Sequence, residues 1–202
     1  MMEELNRMLF LWINATPDSP RWAIALATFL AKDLIAIVPL LIVGLWLWGP
    51  KEHVTIQREL VLKTGIALLY ALTISWCLGM LFPHPRPFTL GFGFQFLSHA
   101  PDDSYPSDHG TTIFTFALSF LYWHRRWSGI ALMATGVAIA WSRIYLGVHW
   151  PLDMLGGLLV GMLGCLFSQM AWRLYGSRML KLLSVLYRVI FALPIRKGWV
   201  QR

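Results

Sequence analysis

The sequence predicts an all-α fold: a polytopic membrane helical bundle of about five to six transmembrane helices, with an interfacial helix at the N-terminus. Three observations predict it. Of 202 residues, 57% are hydrophobic and only 13% are charged, where a soluble domain carries about 25% charged residues. Mean hydropathy is +0.58. Tryptophan is abundant at 11 residues, as expected for rings that sit at membrane interfaces. The net charge of +7 would suggest nucleic acid in a soluble chain. Here membrane topology accounts for it, so no nucleic-acid partner is expected. No internal repeat divides the chain, and residues 1–202 are read as a single integral membrane domain.

Leu5–Ile13 places Leu5, Met8, Leu9, Trp12 and Ile13 on one helical face. The segment is too short to span, so it is expected in the interface. Thr16–Pro20 breaks it. The acidic start, with Glu3 and Glu4, does not resemble a cleaved signal. Trp22–Trp48 is the first span. It contains Lys32 and Asp33, a pair that either faces the protein interior or lies near the outer surface. Gly49–Leu60 reads as a polar loop and Val61–Phe82 as the second span. Pro83–Asp108 is a long loop rich in proline, glycine and aromatics, and loops of that length are usually functional. Its Asp102 and Asp103 are read as solvated. His109–Trp123, Trp127–Leu146 and Pro151–Trp172 are the third, fourth and fifth spans. Gly157 and Gly161 form a GxxxG pattern that favours close helix packing. Cys77 and Cys165 sit in apolar stretches as small hydrophobes. The tail Arg173–Arg202 is basic. Within it, Met179–Leu193 is either an interfacial helix or a sixth span.

With five spans, twelve of the 17 Lys and Arg residues fall on one side. The positive-inside rule makes that side cytoplasmic. Arg86 and Arg143 then lie on the outer side against the bias, which points to another demand on them. Each belongs to an unusual stretch, PHPRPF at Pro83–Phe88 and SRIYLGVHWPLD at Ser142–Asp153. A third stretch, YPSDHG at Tyr105–Gly110, faces the same way.

The residue types in these stretches suit phosphate chemistry. Arg86 and Arg143 offer planar forks of donors for phosphate oxygens. Ser107 precedes a helix and is a natural N-cap, so the amides of Asp108, His109 and Gly110 would point at an anion near a positive helix end. His149 and Asp153 lie four residues apart near the next helix start, with Pro151 fitting its first turn. Asp153 can therefore fix the His149 tautomer and leave the other ring nitrogen to attack. No cluster has metal-ligand spacing, and neither metal nor cofactor is expected. The sum suits a covalent phosphohistidine. In that reading His149 attacks phosphorus, and His109 protonates the leaving oxygen and then activates water. The phosphate-binding set is Arg86, Ser107, Asp108, Gly110 and Arg143. His53, His84, His99 and His124 lack such company and are read as loop or interface residues.

These stretches resemble the three motifs of the type 2 phosphatidic acid phosphatase superfamily. Arg86-Pro87, Pro106-Ser107-Asp108-His109, and Ser142-Arg143 followed by His149 and Asp153 carry the resemblance. The third motif matches fully. The second has Asp108 where glycine is usual, and the first has Gly79 where its lysine belongs. Lys32, a basic residue in the middle of the first span, is the candidate replacement. The PSDH form, the WPLDMLGG segment and the FALPIRKGW tail are similar to the bacitracin-resistance branch, the undecaprenyl pyrophosphate phosphatases of enteric inner membranes. The resemblance implies packed transmembrane helices, a periplasm-facing site, no metal and a lipid pyrophosphate as substrate. It also implies a place in recycling the carrier lipid of peptidoglycan synthesis. No obligatory protein partner is implied. Two other readings fit the residues. One is a phosphatase of phosphatidylglycerol phosphate, phosphatidate or another lipid phosphate. The other is a transporter or a protein that sequesters bacitracin's target. A vanadate peroxidase shares the motifs, but its hydrophilic character does not fit this chain.

Overall fold

The computed structural model describes residues 1–49 and 51–201; Pro50 of the Gly49–Leu60 loop and Arg202 of the tail lie outside the described residues. Helices are the only regular structure among the described residues. They are α1 (Met2–Ile13), α2 (Arg21–Lys32), α3 (Ile37–Trp48), α4 (Val54–Leu81), α5 (Asp108–Trp123), α6 (Arg126–Tyr145), α7 (Pro151–Ile190) and α8 (Ala192–Arg196). Among the described residues, Arg21–Trp48, Val54–Leu81 and Pro151–Ile190 are each long and apolar enough to cross a membrane. The shorter α5 and α6 pack on each other, and α5 also packs on α4 and α7. The main core joins these helices through Leu60, Ile113, Phe116, Phe120, Ile139 and Met154.

Glycine sets the central packing. A Cβ at Gly157 would lie 2.6 Å from the Thr111 amide nitrogen, and one at Gly161 would lie 3.0 Å from that of Thr115. One turn further, a Cβ at Gly164 would lie 2.6 Å from the Ala67 carbonyl. The glycine stripe of α7 thus lets α5 and α4 approach to backbone contact, as small-residue packing in lipid requires.

Four boundaries differ from the sequence expectation. The first span is not one helix: α2 stops at Lys32, and a 3-10 turn, Leu34–Ala36, leads into α3. Pro39 explains the break, since its ring crowds the carbonyl four residues back, at Ile35. Lys32 and Asp33 are both exposed at this junction. The second span begins earlier, at Val54, because the polar residues of 54–60 are helix formers. Glu59 and Lys63 pair at 2.7 Å across one turn. At the other end, Met179–Leu193 is neither a separate interfacial helix nor a sixth span. Its residues to Ile190 continue α7, which runs 40 residues, about 60 Å at helical rise and roughly twice a bilayer core. The fourth difference is α1, which starts at Met2 rather than Leu5. Its apolar stripe faces outward, with Trp12 84% exposed, which suits contact with lipid. The opposite stripe, Asn6 and Phe10, is buried against the protein. There Phe10 lies 5.0 Å from the Trp150 ring, and Asn6 Oδ1 accepts from the Leu152 amide at the start of α7.

Candidate active site

The loop between α6 and α7 turns at Gly147, whose φ is +79°. A side chain there would meet the Phe94 carbonyl, so both the backbone angle and the space demand glycine. Asn14 bolts this turn to the long loop. Its Nδ2 donates to the carbonyls of Phe94 and Tyr145 at 2.9 and 3.0 Å, and its Oδ1 accepts from the Phe94 amide. Two residues beyond Gly147, His149 enters the interior and is 2% exposed.

Each face of the His149 ring has its own company. Nδ1 lies 3.1 Å from Asp153 Oδ2. Nε2 lies 3.0 Å from Arg86 Nη1, 3.3 Å from Arg143 Nη2 and 3.3 Å from Ser107 Oγ. Guanidinium groups only donate, so Nε2 carries the lone pair and Nδ1 carries the proton toward Asp153. Burial, followed by the charges of Arg143 and Arg86, holds the imidazole well below the ordinary histidine range. The ring is neutral at neutral pH, with its lone pair directed into a cluster of cationic donors.

Asp153 is almost fully buried. Its Oδ2 also accepts from the Trp150 amide at 2.7 Å and from the Ser104 hydroxyl. It therefore caps the first turn of α7 while it holds the histidine. Trp150 Nε1 donates to the Pro85 carbonyl at 2.9 Å, which ties the Pro83–Phe88 stretch to the same turn. Arg86 donates through Nη1 to the Val148 carbonyl at 2.9 Å and through Nη2 to that of Asp103 at 3.1 Å. Arg143 reaches the Ala31 carbonyl of α2 at 3.3 Å. Ser107 is the N-cap of α5 and accepts from the Gly110 amide at 3.3 Å.

The structure thus gathers Arg86, Ser107, Arg143, His149 and Asp153 around one ring. His109 stands in the first turn of α5, half-buried. The Gly110 amide is engaged by its cap, and the Asp108 carboxylate turns aside to accept from Ser75 Oγ at 3.3 Å. Gly79 stands under the Tyr105 carbonyl. Lys32, at the exposed end of α2, makes no hydrogen bond or ion pair among the described residues, although its neighbour Ala31 touches Arg143.

Sequence reasoning missed three members. Ser104 is fully buried, with Oγ 3.3 Å from His149 Nδ1 in addition to its bond to Asp153. A serine in an irregular loop carries no periodic or motif signal. His99, read as a plain loop residue, stacks its edge against His149 with ring centroids 6.0 Å apart. Burial lowers its pKa as well, opposed by the Ala100 carbonyl and reinforced by Arg86 and Arg143. Asp102, read as solvated, bonds Arg86 Nε at 2.8 Å while remaining 61% exposed.

Comparison with known proteins finds relatives along most of the chain. Residues 59–176 match the PAP2 superfamily. The chain is 63% identical over 201 residues to an Escherichia coli protein named "Putative undecaprenyl-diphosphatase YbjG", with all of both chains covered. It is 32% identical over 144 residues to "Undecaprenyl-diphosphatase BcrC" of Bacillus subtilis, covering 71% of this chain and 72% of that one. Among solved structures, Aquifex aeolicus LpxE superposes with a TM-score of 0.68 at 25% identity, covering 82% of this chain and 95% of that one.

Proposed function

The chain belongs to the PAP2 superfamily, and on that premise we propose that it hydrolyses undecaprenyl pyrophosphate to undecaprenyl phosphate and inorganic phosphate. The observation that carries the reading is His149, with Nδ1 held by Asp153 and Nε2 directed among Arg86, Arg143 and Ser107. The two relatives named for undecaprenyl-diphosphatase activity support the choice of substrate.

In this mechanism His149 Nε2 attacks the terminal phosphorus in line. An N–P bond forms as the P–O bond to the lipid monophosphate breaks. His109 gives a proton to the departing oxygen. Water then attacks the phosphohistidine, His109 takes its proton, and the N–P bond breaks to release phosphate. Arg86, Arg143 and Ser107 stabilise charge on the equatorial oxygens throughout. Asp153 holds the tautomer and stabilises the imidazolium as His149 gives up its lone pair.

The site opens at the periplasmic face of the inner membrane. The basic residues concentrate at the opposite end of the bundle, and this distribution supports that orientation. Carrier-lipid recycling, and with it resistance to bacitracin, is the physiological role. The test is phosphate release from undecaprenyl pyrophosphate by purified wild type and His149→Ala, in detergent with a chelator present. Release by wild type and none by the variant is the expected result. An active variant would remove His149 as nucleophile. Phosphatidate, run in the same detergent, measures how far the site distinguishes a diphosphate from a lipid monoester.

A further inference from the structure

A cavity of about 690 Å³ lies at the end of the bundle remote from His149, where the chain's tail returns over the start of α4. Four hydrogen bonds tie the tail down. Gln201 donates its amide to the Leu47 carbonyl at 2.9 Å, Trp48 Nε1 donates to the Trp199 carbonyl at 2.8 Å, and Tyr187 Oη donates to the Gln201 carbonyl at 2.7 Å. Arg58 lines the cavity and is only 5% exposed. Its guanidinium lies 4.4 Å over the Tyr187 ring and 5.4 Å from that of Trp46. Nη2 donates to the Gln201 carbonyl at 3.1 Å. Nε is buried and has no acceptor among the described residues. Arg188 lines the same cavity, and no acidic side chain does so among the described residues. Val54 and Thr55, in the first turn of α4, complete the wall beside the apolar Ile195. That helix start has no side-chain cap.

A buried guanidinium with an idle donor is costly unless an anion satisfies it. A second arginine and uncapped helix amides add positive potential at the same place. We propose that this cavity binds a phosphate-bearing anion. Arg58 and Arg188 contact its oxygens, and the wall of Val54 and Ile195 carries any apolar part. Arg58 precedes Leu81 by 23 residues of one helix, which at helical rise is about 35 Å. The site is therefore separate from the histidine cluster. Two sources share this chemistry, the headgroup of an acidic phospholipid and free phosphate.

Thermal unfolding of the full chain in detergent tests it, with phosphatidylglycerol, phosphatidylcholine or inorganic phosphate added. The variants are Arg58→Lys and Arg188→Gln. Arg188 is exposed, so its variant keeps the fold even where that of Arg58 does not. Phosphatidylglycerol is expected to raise the unfolding temperature of wild type, and Arg188→Gln to weaken the apparent affinity about tenfold, the loss of one charge-assisted contact. Phosphatidylcholine is expected to do nothing. An Arg188-dependent shift of equal size with inorganic phosphate assigns the site to the free anion. The histidine cluster is the same in wild type and Arg188→Gln, so phosphate bound there cancels. Identical responses of wild type and Arg188→Gln to both anions overturn the proposal.

Discussion

Replacing Ser104 with alanine tests whether the residues behind His149 set the rate. Ser104 is fully buried and touches both members of the pair: its hydroxyl donates to Asp153 Oδ2, and its Oγ lies 3.3 Å from Nδ1. Oδ2 has two further donors, the Trp150 amide and His149, while Oδ1 has no partner among the described residues. Removing Ser104 therefore leaves a buried carboxylate with two donors in place of three. A hydrogen bond to a charged group contributes roughly 1.5–3 kcal/mol. Expressed wholly in the transition state, where the imidazole gains charge and leans on Asp153, that is about a 10- to 150-fold loss of kcat. In the proposed mechanism the substrate phosphate sits on the Nε2 side of the ring, so KM should hold within about twofold, since only an interaction specific to the transition state is removed. Steady-state phosphate release from undecaprenyl pyrophosphate gives both constants. Ser104→Ala with wild-type kcat, or with its defect confined to KM, would refute the reasoning and leave Ser104 as packing.

Three further outcomes are expected. The acid limb of kcat/KM should lie well below pH 6.5. Burial with Arg143 and Arg86 lowers the His149 pKa, so the lone pair is lost only as pH falls through that depressed value; a limb at or above 6.5 in the pH–rate profile contradicts it. Asp102→Asn should lower KM about two- to fivefold if Arg86 binds substrate phosphate as proposed, because the carboxylate now bonded to Arg86 Nε would compete for it. Its exposure limits the effect to roughly the 1 kcal/mol of a surface pair, and a higher KM in the same assay rejects the competition. Gly157→Ala should destabilise the fold by about 1–3 kcal/mol, the range for overpacking, since its Cβ would lie 2.6 Å from the Thr111 amide nitrogen. Chemical denaturation in mixed micelles measures this, and an unchanged midpoint shows that α5 and α7 can separate without cost.

The site was legible wherever its chemistry is local in sequence. His149 and Asp153 are neighbours because one turn of backbone makes them so, and Ser107 caps α5 by a rule that needs no tertiary knowledge. Arg86 and Arg143 stood out through their side of the membrane. What could not be read arises from long-range backbone contacts. The Pro83–Asp108 loop folds by handing carbonyls to distant donors, as where His84 accepts from the Ser104 amide, and such bonds leave no period behind them. That is why Ser104, His99 and Asp102 escaped notice. The continuation of α7 past Trp172 was hidden for another reason: the arginines and lysines there look like an ending in a membrane segment, yet they are good helix formers.

The position of α1 has a consequence for how the protein is made. Of the described helices this one precedes the others in the chain, yet two of the groups that seat it come much later. Asn14 waits for Tyr145 and Asn6 for Leu152, separations of 131 and 146 residues. Until the fifth span is inserted, α1 has its outward apolar stripe and its contacts with Phe92 and Phe94 of the long loop, but not its bond to the start of α7. The turn carrying His149 is assembled at the same late moment and against the same helix. A nascent chain that stops short of α7 therefore lacks the complete His149–Asp153 pair and the helix start that holds it.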